Sequence, residues 1–287
     1  KMKNSTEEQK LQVKQLREWL NEQPLFPKNL GELILLRFLH SNYYDMDKAK
    51  KTAELFFSIR ASAPELLNNR DPMSSSIQKT LKIVNLATYQ VSGKRNIWIW
   101  QLNDPGLEQY DYVEDARLFF LTSDAWLLDN DDLEEEDVVL MDVKDITIKF
   151  VTKFNISVAK KLSKYQEGAM PIRLKAVHII NAPPIIDKIY GLMKPFMKKD
   201  MTDMIHFHRA NSTTLLDHFS KDDLPADFGG TRPPMVDNMQ NVLALLERHR
   251  ERLSQDMLWT SLGKKGKNKT EPAPAAEVVS LRTLSID

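Results

Sequence analysis

Three short segments of the chain are apolar on both of their alternating faces, and they restrict the possible folds more than any other feature. They cover residues 97–102, 138–143 and 176–180, and they are rich in β-branched side chains. Strands of this kind are typical of the centre of a sheet whose two faces are both covered. A fourth strand is predicted at 204–208.

Helical segments separate these strands. Residues 112–128 and 156–166 carry apolar side chains at helical spacing. Strands that alternate with helices of this length predict βαβ units, and therefore an α/β fold with a mostly parallel sheet and flanking helices. A further helix, 184–197, is apolar over much of its circumference, so it needs an apolar neighbour.

The chain is predicted to have three parts. Residues 1–70 contain apolar residues at helical spacing and form a small all-helical domain, which ends at a turn around Asn68 and Pro72. Residues 71–255 hold the strands and end in short helices predicted at 213–219 and 239–253. Residues 256–287 are rich in Lys, Gly, Pro and Ala, a composition that predicts a disordered tail.

Composition narrows the class of protein. The 287 residues include 40 Lys and Arg against 40 Asp and Glu, so the formal net charge is zero and nucleic acid is a poor candidate partner. Since there is no cysteine, disulfides, thiolate metal sites and cysteine nucleophiles are excluded. Residues 1–10 are polar, and we expect a cytoplasmic protein without a signal peptide.

The charge is strongly segregated along the chain. Residues 104–142 hold 14 acidic residues and 1 basic residue, whereas residues 143–199 hold 12 basic and 3 acidic residues. A basic surface beside the apolar helix 184–197 suits peripheral contact with anionic lipid. An ordinary solvated face explains the same charges equally well.

Templates for catalysis are missing from the sequence. It contains no GxGxxG motif, no Walker lysine loop and no GxSxG elbow. The SxxK matches that begin at Ser76 and Ser157 are of a kind expected by chance in a chain with this much Ser and Lys. We therefore expect no enzyme.

The sequence evidence for two candidate metal sites is also weak. His206 and His208 lie two apart on the predicted last strand and so point to the same side, but no third ligand follows at a fixed spacing. The acidic run 129–137 lacks the glycine and the ligand order of an EF-hand loop and is predicted to be a solvated loop. The expectation is that no metal binds.

A set of longer motifs resembles a known family. The motifs, in chain order, are Leu36-Arg37-Phe38-Leu39, Pro171-Ile172-Arg173-Leu174-Lys175-Ala176-Val177-His178, Lys194-Pro195-Phe196, Ile205-His206-Phe207-His208 and Leu224-Pro225 with Phe228-Gly229-Gly230. Together they resemble the CRAL-TRIO family from about residue 10 to 255, and within it the branch of tocopherol-transfer and retinaldehyde-binding proteins.

The resemblance implies a soluble intracellular carrier with no enzymatic activity and no cofactor besides its bound ligand. Such a carrier encloses one hydrophobic molecule, for example tocopherol, a retinoid, a carotenoid or another isoprenoid, above a sheet that forms the pocket floor. Helix 184–197 corresponds to the family's mobile gate, which opens at membranes. We expect a monomer.

The resemblance also implies two sets of site residues. The ligand pocket is expected to include Phe119, Phe120, Ser123, Trp126, Leu140, Leu162, Tyr165, Gln166, Met170, Ile172, Ile180, Ile186, Ile189 and Met193. Docking to anionic lipid is expected to involve Arg173, Lys175 and Lys194, which are similar to cations that the tocopherol branch uses for phosphoinositide headgroups. Two further basic positions of the family are Asp200 and Met204 here, and we expect Lys198 and Lys199 to take their place in docking. Phe119 replaces a small residue of the tocopherol branch, which argues against tocopherol itself.

Two other functions remain open from the sequence. A phospholipid exchanger or phosphoinositide-presenting regulator is the main alternative to the isoprenoid carrier. A protein-interaction adaptor that uses the acidic segment 104–142 and the tail comes third.

Overall fold

The computed structural model describes residues 5–129 and 133–255. Its N-terminal part is helical, as predicted, and consists of α1 (Glu7–Glu22), α2 (Glu32–Ser41), α3 (Met46–Ala61) and α4 (Pro64–Leu67). At the start of α1 the Thr6 hydroxyl accepts a hydrogen bond from the Gln9 backbone N–H, and the Gln9 side chain accepts one from the Thr6 N–H. This reciprocal pair satisfies two donors that the first helical turn leaves free.

A five-stranded sheet forms the centre of the second part. Its strands are β1 (Val84–Val91), β2 (Arg95–Leu102), β3 (Glu136–Asp142), β4 (Leu174–Ala182) and β5 (Ile205–Arg209), and they neighbour one another in chain order. β1 runs antiparallel to β2, while every later pair is parallel. The predicted α/β class and the four predicted strands are confirmed, and β1 is an additional edge strand.

Within the described residues, eight further helices surround the sheet. They are α5 (Ser75–Leu81), α6 (Tyr112–Asp129), α7 (Lys149–Lys153), α8 (Ile156–Gly168), α9 (Ile186–Met193), α10 (Lys199–Thr202), α11 (Met235–Arg248) and α12 (Arg250–Leu253). Because neighbouring parallel strands follow one another in the chain, right-handed crossovers place α6, α8 and α9 on the same face of the sheet.

Prolines make the predicted helix 184–197 shorter than expected. α9 begins after Pro183 and Pro184 and ends at Met193. A 3-10 turn, Lys194–Phe196, follows with Pro195 inside it. Since Pro195 has no backbone N–H to donate, the helix cannot continue through it.

The last predicted helices also differ from the structure. The helix predicted at 213–219 is a 3-10 turn, Thr214–Asp217. The helix predicted at 239–253 begins earlier, at Met235 directly after Pro234, and a break at His249 separates α11 from α12. A proline immediately before the first turn is compatible with helix initiation, so the real helix extends further toward the N-terminus.

A continuous apolar core joins the N-terminal helices to the helices over the sheet. Phe56 on α3, for example, contacts Tyr165 on α8, with ring centroids 5.9 Å apart. A second apolar cluster lies on the opposite face of the sheet, where Leu215, Phe219 and Leu224 cover it. Both faces of the central strands are therefore covered, as their sequences predict.

The predicted tail, 256–287, and residues 130–132 of the acidic run lie outside the described residues. Among the helices of residues 5–129 and 133–255, none combines the length and the apolar character needed to cross a bilayer.

Candidate ligand-binding cavity

An internal cavity of about 310 Å³ lies between the sheet and the helices α6, α8 and α9. The pleat of the sheet determines which side chains reach it. Val139 and Met141 on β3, and Val177 and Ile179 on β4, point into the cavity. Since side chains alternate along a strand, their neighbours point to the opposite face.

Ten of the fourteen residues predicted for the pocket line this cavity. They are Phe119, Ser123, Trp126, Leu162, Gln166, Met170, Ile172, Ile186, Ile189 and Met193. They come from α6, α8, the loop before β4, and α9. The structure thus brings together residues that are up to 74 positions apart, counted from Phe119 to Met193.

The other four predicted residues do not line the cavity. Leu140 and Ile180 lie on the opposite face of the sheet, in the second apolar cluster, because they occupy the alternate positions of β3 and β4. Phe120 and Tyr165 are fully buried and pack against each other, with centroids 4.7 Å apart. The Tyr165 hydroxyl accepts a hydrogen bond from Arg60 on α3, so this pair faces the N-terminal helices.

Several aromatic residues that we did not predict complete the wall. Trp98 and Trp100 of β2 and Tyr110, Tyr112 and Phe150 all line the cavity. Trp98 and Trp100 lie two apart, so strand alternation alone places them on one face. That pattern could have identified them, but only once the face of β2 toward the helices was known.

Asp115 on α6 is a carboxyl group in the wall of this largely apolar cavity. It accepts hydrogen bonds from the indole Nε1 of Trp100 at 3.0 Å and from the hydroxyl of Tyr110 at 2.7 Å. Burial raises the pKa of Asp115 to about 6, although both hydrogen bonds favour the ionised form. With a pKa of about 6, the Asp115 carboxyl can donate a hydrogen bond to a bound molecule when it is protonated and can accept one when it is ionised.

α9 and the turn after it cover the cavity. Ile186 and Ile189 are buried against its interior, whereas Leu192 on the same helix is 43% exposed. Near the start of the helix, Asp187 forms an exposed ion pair with Arg209 of β5 at 2.9 Å. The cover is therefore apolar inside and is fastened to the edge strand by a solvent-accessible contact.

The other end of this cover is held by α8. The Ser163 hydroxyl donates to the Phe196 carbonyl at 2.9 Å, and Glu167 accepts from the Lys198 backbone N–H at 3.0 Å. Tyr190 packs edge-on against Phe207, with centroids 5.1 Å apart. These contacts fix the turn after α9 to α8, and α9 to β5.

The five predicted docking residues have different environments. Lys194 and Lys198 are exposed beside the cover, while Lys199 is exposed and paired with Asp203. Lys175 is exposed and donates to the Tyr43 hydroxyl at 2.6 Å.

Arg173 is buried, whereas the predicted role in docking to anionic lipid needs an exposed side chain. It is only 8% exposed, and its guanidinium donates to the His40 carbonyl and to Glu135, both within 2.9 Å. The acidic segment before β3 lies close enough to neutralise it. The exposed docking candidates are therefore lysines.

Comparison with known families identifies the fold. A family model described as the CRAL/TRIO domain matches residues 87–230, which contain the sheet from β2 to β5 and the cavity helices. The chain belongs to the CRAL-TRIO family of lipid-binding and transfer proteins. A second model, described as a Pinta-like UBA domain, matches residues 5–77 in the helical part of this CRAL-TRIO protein.

Curated relatives of this CRAL-TRIO chain include alpha-tocopherol transfer protein-like proteins and clavesins. The human alpha-tocopherol transfer protein-like protein (Homo sapiens) is 27% identical over 212 residues, which is 73% of this chain and 61% of the relative. Clavesin-2 of Rattus norvegicus is 23% identical over 209 residues, 71% of this chain and 63% of the relative. The chain thus spans about three fifths of the length of these curated relatives.

A solved structure shares the fold of this CRAL-TRIO chain. The crystal structure of Sfh5 superposes with a TM-score of 0.51 at 13% sequence identity, covering 88% of this chain and 100% of the other. At this identity the likeness supports the common architecture alone.

Proposed function

We propose that this chain is a carrier that encloses one hydrophobic molecule in the cavity and exchanges it with membranes. The observation that carries this proposal is the cavity itself, whose wall is built from apolar and aromatic side chains on α6, α8, α9 and one face of the sheet. Sites of this kind bind small molecules chiefly by burying apolar surface. At about 25 cal/mol per Å², each buried apolar area of roughly 100 Å² on a ligand contributes about 2.5 kcal/mol.

The polar groups in the wall limit the class of ligand. Asp115, Ser123 and Gln166 are polar residues among many apolar ones. Such a site favours a largely hydrocarbon molecule with a single hydroxyl or carbonyl group, because each unmatched polar group would be costly to bury. Retinoids, carotenoids and other isoprenoids fit this description. One relative carries tocopherol transfer in its name, but the bulk of Phe119 in the wall argues against tocopherol itself.

In this proposal the α9 cover is the gate, and it exchanges its inner contacts for contacts with lipid. Its closed state is held by the Asp187–Arg209 pair and by the hydrogen bond from Ser163 to the Phe196 carbonyl. When these break, Ile186 and Ile189 can insert into the membrane interface. The exposed lysines Lys194 and Lys198 then face anionic headgroups, and each contributes about 1 kcal/mol.

The carrier acts as a monomer in the cytoplasm, with transient contact with membrane surfaces, and performs no chemical reaction. The alternative is an exchanger of phospholipids or a regulator that presents phosphoinositides. Exposed Lys175, Lys194 and Lys198 favour this alternative, because phosphate groups bind lysine well.

The bound molecule separates these functions. The chain is purified under native conditions and extracted with organic solvent, and the extract is analysed by mass spectrometry. An isoprenoid at one molecule per chain supports the carrier, whereas a phospholipid supports the alternative. No lipid in the extract, together with no binding of fluorescent isoprenoid or phospholipid probes, would contradict both.

A further inference from the structure

Four of the chain's six histidines lie together on the sheet face opposite the cavity. His178 is on β4, His206 and His208 are on β5, and His218 follows the turn after β5. The strand register pairs His178 directly with His206, and His208 lies two positions further along β5. Since Val177 and Ile179 face the cavity, the three strand histidines point the other way.

The ring nitrogens of three of these histidines converge. One nitrogen each of His178, His208 and His218 lies within 4.8 Å of the other two. Nδ1 of His178 and Nε2 of His208 are 2.8 Å apart. Two imidazole nitrogens bound to one tetrahedral zinc ion at 2.0–2.1 Å are separated by about 3.3 Å. Small side-chain rotations therefore suffice to place one ion between the three rings.

We propose that His178, His208 and His218 form a binding site for a divalent transition-metal ion, with Zn²⁺ as the expected ion and water in the fourth position. Neutral imidazole is a ligand that suits zinc, copper and nickel, whereas calcium and magnesium prefer oxygen ligands. Sequence analysis expected no metal because no third ligand follows His206 and His208. The structure supplies His178 from 30 positions before His208.

The surroundings orient the proposed ligands. Nδ1 of His208 lies 2.6 Å from the Thr214 hydroxyl. In the tautomer whose Nδ1–H donates to this hydroxyl, Nε2 carries a free lone pair toward the site, and outer-shell hydrogen-bond partners orient metal-bound histidines in this way. His178 and His208 are buried, at 1% and 4% exposure, whereas His218 is exposed. An ion can therefore enter from solvent on the side of His218.

The local charges permit a cation. Arg95 lies beside the cluster, and its guanidinium donates to the His218 carbonyl, but it is also paired with Asp223 at 3.5 Å. Asp217 precedes His218 and adds a negative charge nearby. Binding would fasten the turn after β5 to the edge of the sheet, so the ion would stabilise the fold without entering the ligand cavity.

Titration of the purified chain with Co²⁺ and Zn²⁺ tests this site. We expect one Co²⁺ per chain with the absorption bands of tetrahedral coordination, displacement of Co²⁺ by Zn²⁺, and a melting temperature that rises with Zn²⁺. His218→Ala alters an exposed side chain, so it should fold and weaken Zn²⁺ binding by more than about tenfold. His208→Gln should have the same effect.

His249→Ala is the matched control, because His249 lies outside the cluster and pairs with Asp129. It should bind Zn²⁺ like the unmodified chain. The proposal is overturned if the chain binds no stoichiometric Co²⁺ or Zn²⁺, or if His218→Ala and His249→Ala bind these ions equally well. The readout of this experiment is metal binding. A negative result would therefore overturn the metal site and would not bear on the proposal that the chain carries a hydrophobic molecule.

Discussion

Arg60 and Asp124 form a bidentate ion pair that is completely buried. Nη1 and Nη2 of Arg60 donate to the two carboxylate oxygens of Asp124 at 2.7 and 2.6 Å. Arg70 donates to the same carboxylate at 2.6 Å. Burial alone would raise the pKa of Asp124, but the two guanidinium groups hold it below its ordinary value. This pair joins α3 of the helical part to α6, which packs over the sheet.

Asp124→Asn should therefore destabilise the protein severely. The substitution removes the carboxylate charge that the buried guanidinium groups of Arg60 and Arg70 share, and breaking such a buried pair costs about 3–5 kcal/mol. Urea unfolding monitored by circular dichroism measures the loss. Asp129→Asn, which removes a largely exposed pair with Arg248, is the control and should cost less than about 1 kcal/mol. Equal effects of the two substitutions would contradict this assignment.

Asp115 should make stability depend on pH between about 4 and 6. Its pKa is about 6 in the folded protein and 3.8 as the ordinary value, so the folded state binds more protons in this window. The free energy of unfolding therefore falls as pH rises from 4 to 6, by up to about 3 kcal/mol, and then levels off.

Asp115→Asn removes this titration while it keeps the size of the side chain. The difference in unfolding free energy between the variant and the unmodified chain should shift by up to about 3 kcal/mol between pH 4 and pH 7. This shift should be in favour of the variant: relative to the unmodified chain, Asp115→Asn should be more stable at pH 7 than at pH 4. Urea titrations at both pH values measure it, and a difference independent of pH would show that Asp115 keeps an ordinary pKa.

Gly230→Ala should disrupt the turn that covers the back of the sheet. A β-carbon at Gly230 would lie 1.9 Å from the carbonyl oxygen of Leu224, so the backbone must move. We expect a loss of about 1–3 kcal/mol by urea unfolding. Gly191→Ala on α9 is the control, since its β-carbon would meet nothing within 4 Å and alanine favours helix. A Gly230→Ala variant as stable as the control would refute the steric argument.

The exposed lysines beside the gate should control membrane attachment. The double substitution Lys194→Glu with Lys198→Glu should weaken binding to vesicles that contain anionic lipid by tenfold or more, as each lost cation is worth about 1 kcal/mol. Sedimentation with vesicles at low and high salt measures this. Lys221→Glu, on the segment that covers the opposite face of the sheet, should change binding little. Equal weakening by both variants would indicate a general charge effect.

Sequence patterns predicted the sheet well because central strands are nearly all apolar. The same property made the pocket residues hard to predict, because a strand that is apolar on both faces does not show which face lines the cavity. Leu140 and Met141 are both apolar, and only the strand pairing decides that Met141 faces the cavity. β1 was missed since it is an edge strand with polar residues such as Asn85 and Thr88 among its apolar ones.

Long-range contacts were beyond prediction for a different reason. Arg173 lies in a basic segment of the sequence, but the fold places Glu135 against it. His178 and His218 contribute to one cluster only because strand pairing and a turn bring them together. Local patterns carry no information about such partners.

A substitution that fills the cavity should weaken ligand binding if the ligand lies there. Leu162→Trp adds atoms inside the cavity, whereas Leu11→Trp adds the same atoms at a position on α1 that is 54% exposed. Titrations with fluorescent tocopherol, retinoid and phospholipid probes should show saturable binding of one probe per chain. Leu162→Trp should weaken that binding by about 5- to 140-fold, as overpacking a filled site costs roughly 1–3 kcal/mol, and Leu11→Trp should leave it unchanged. Binding of none of these probes, or equal binding by the two variants, would contradict the account.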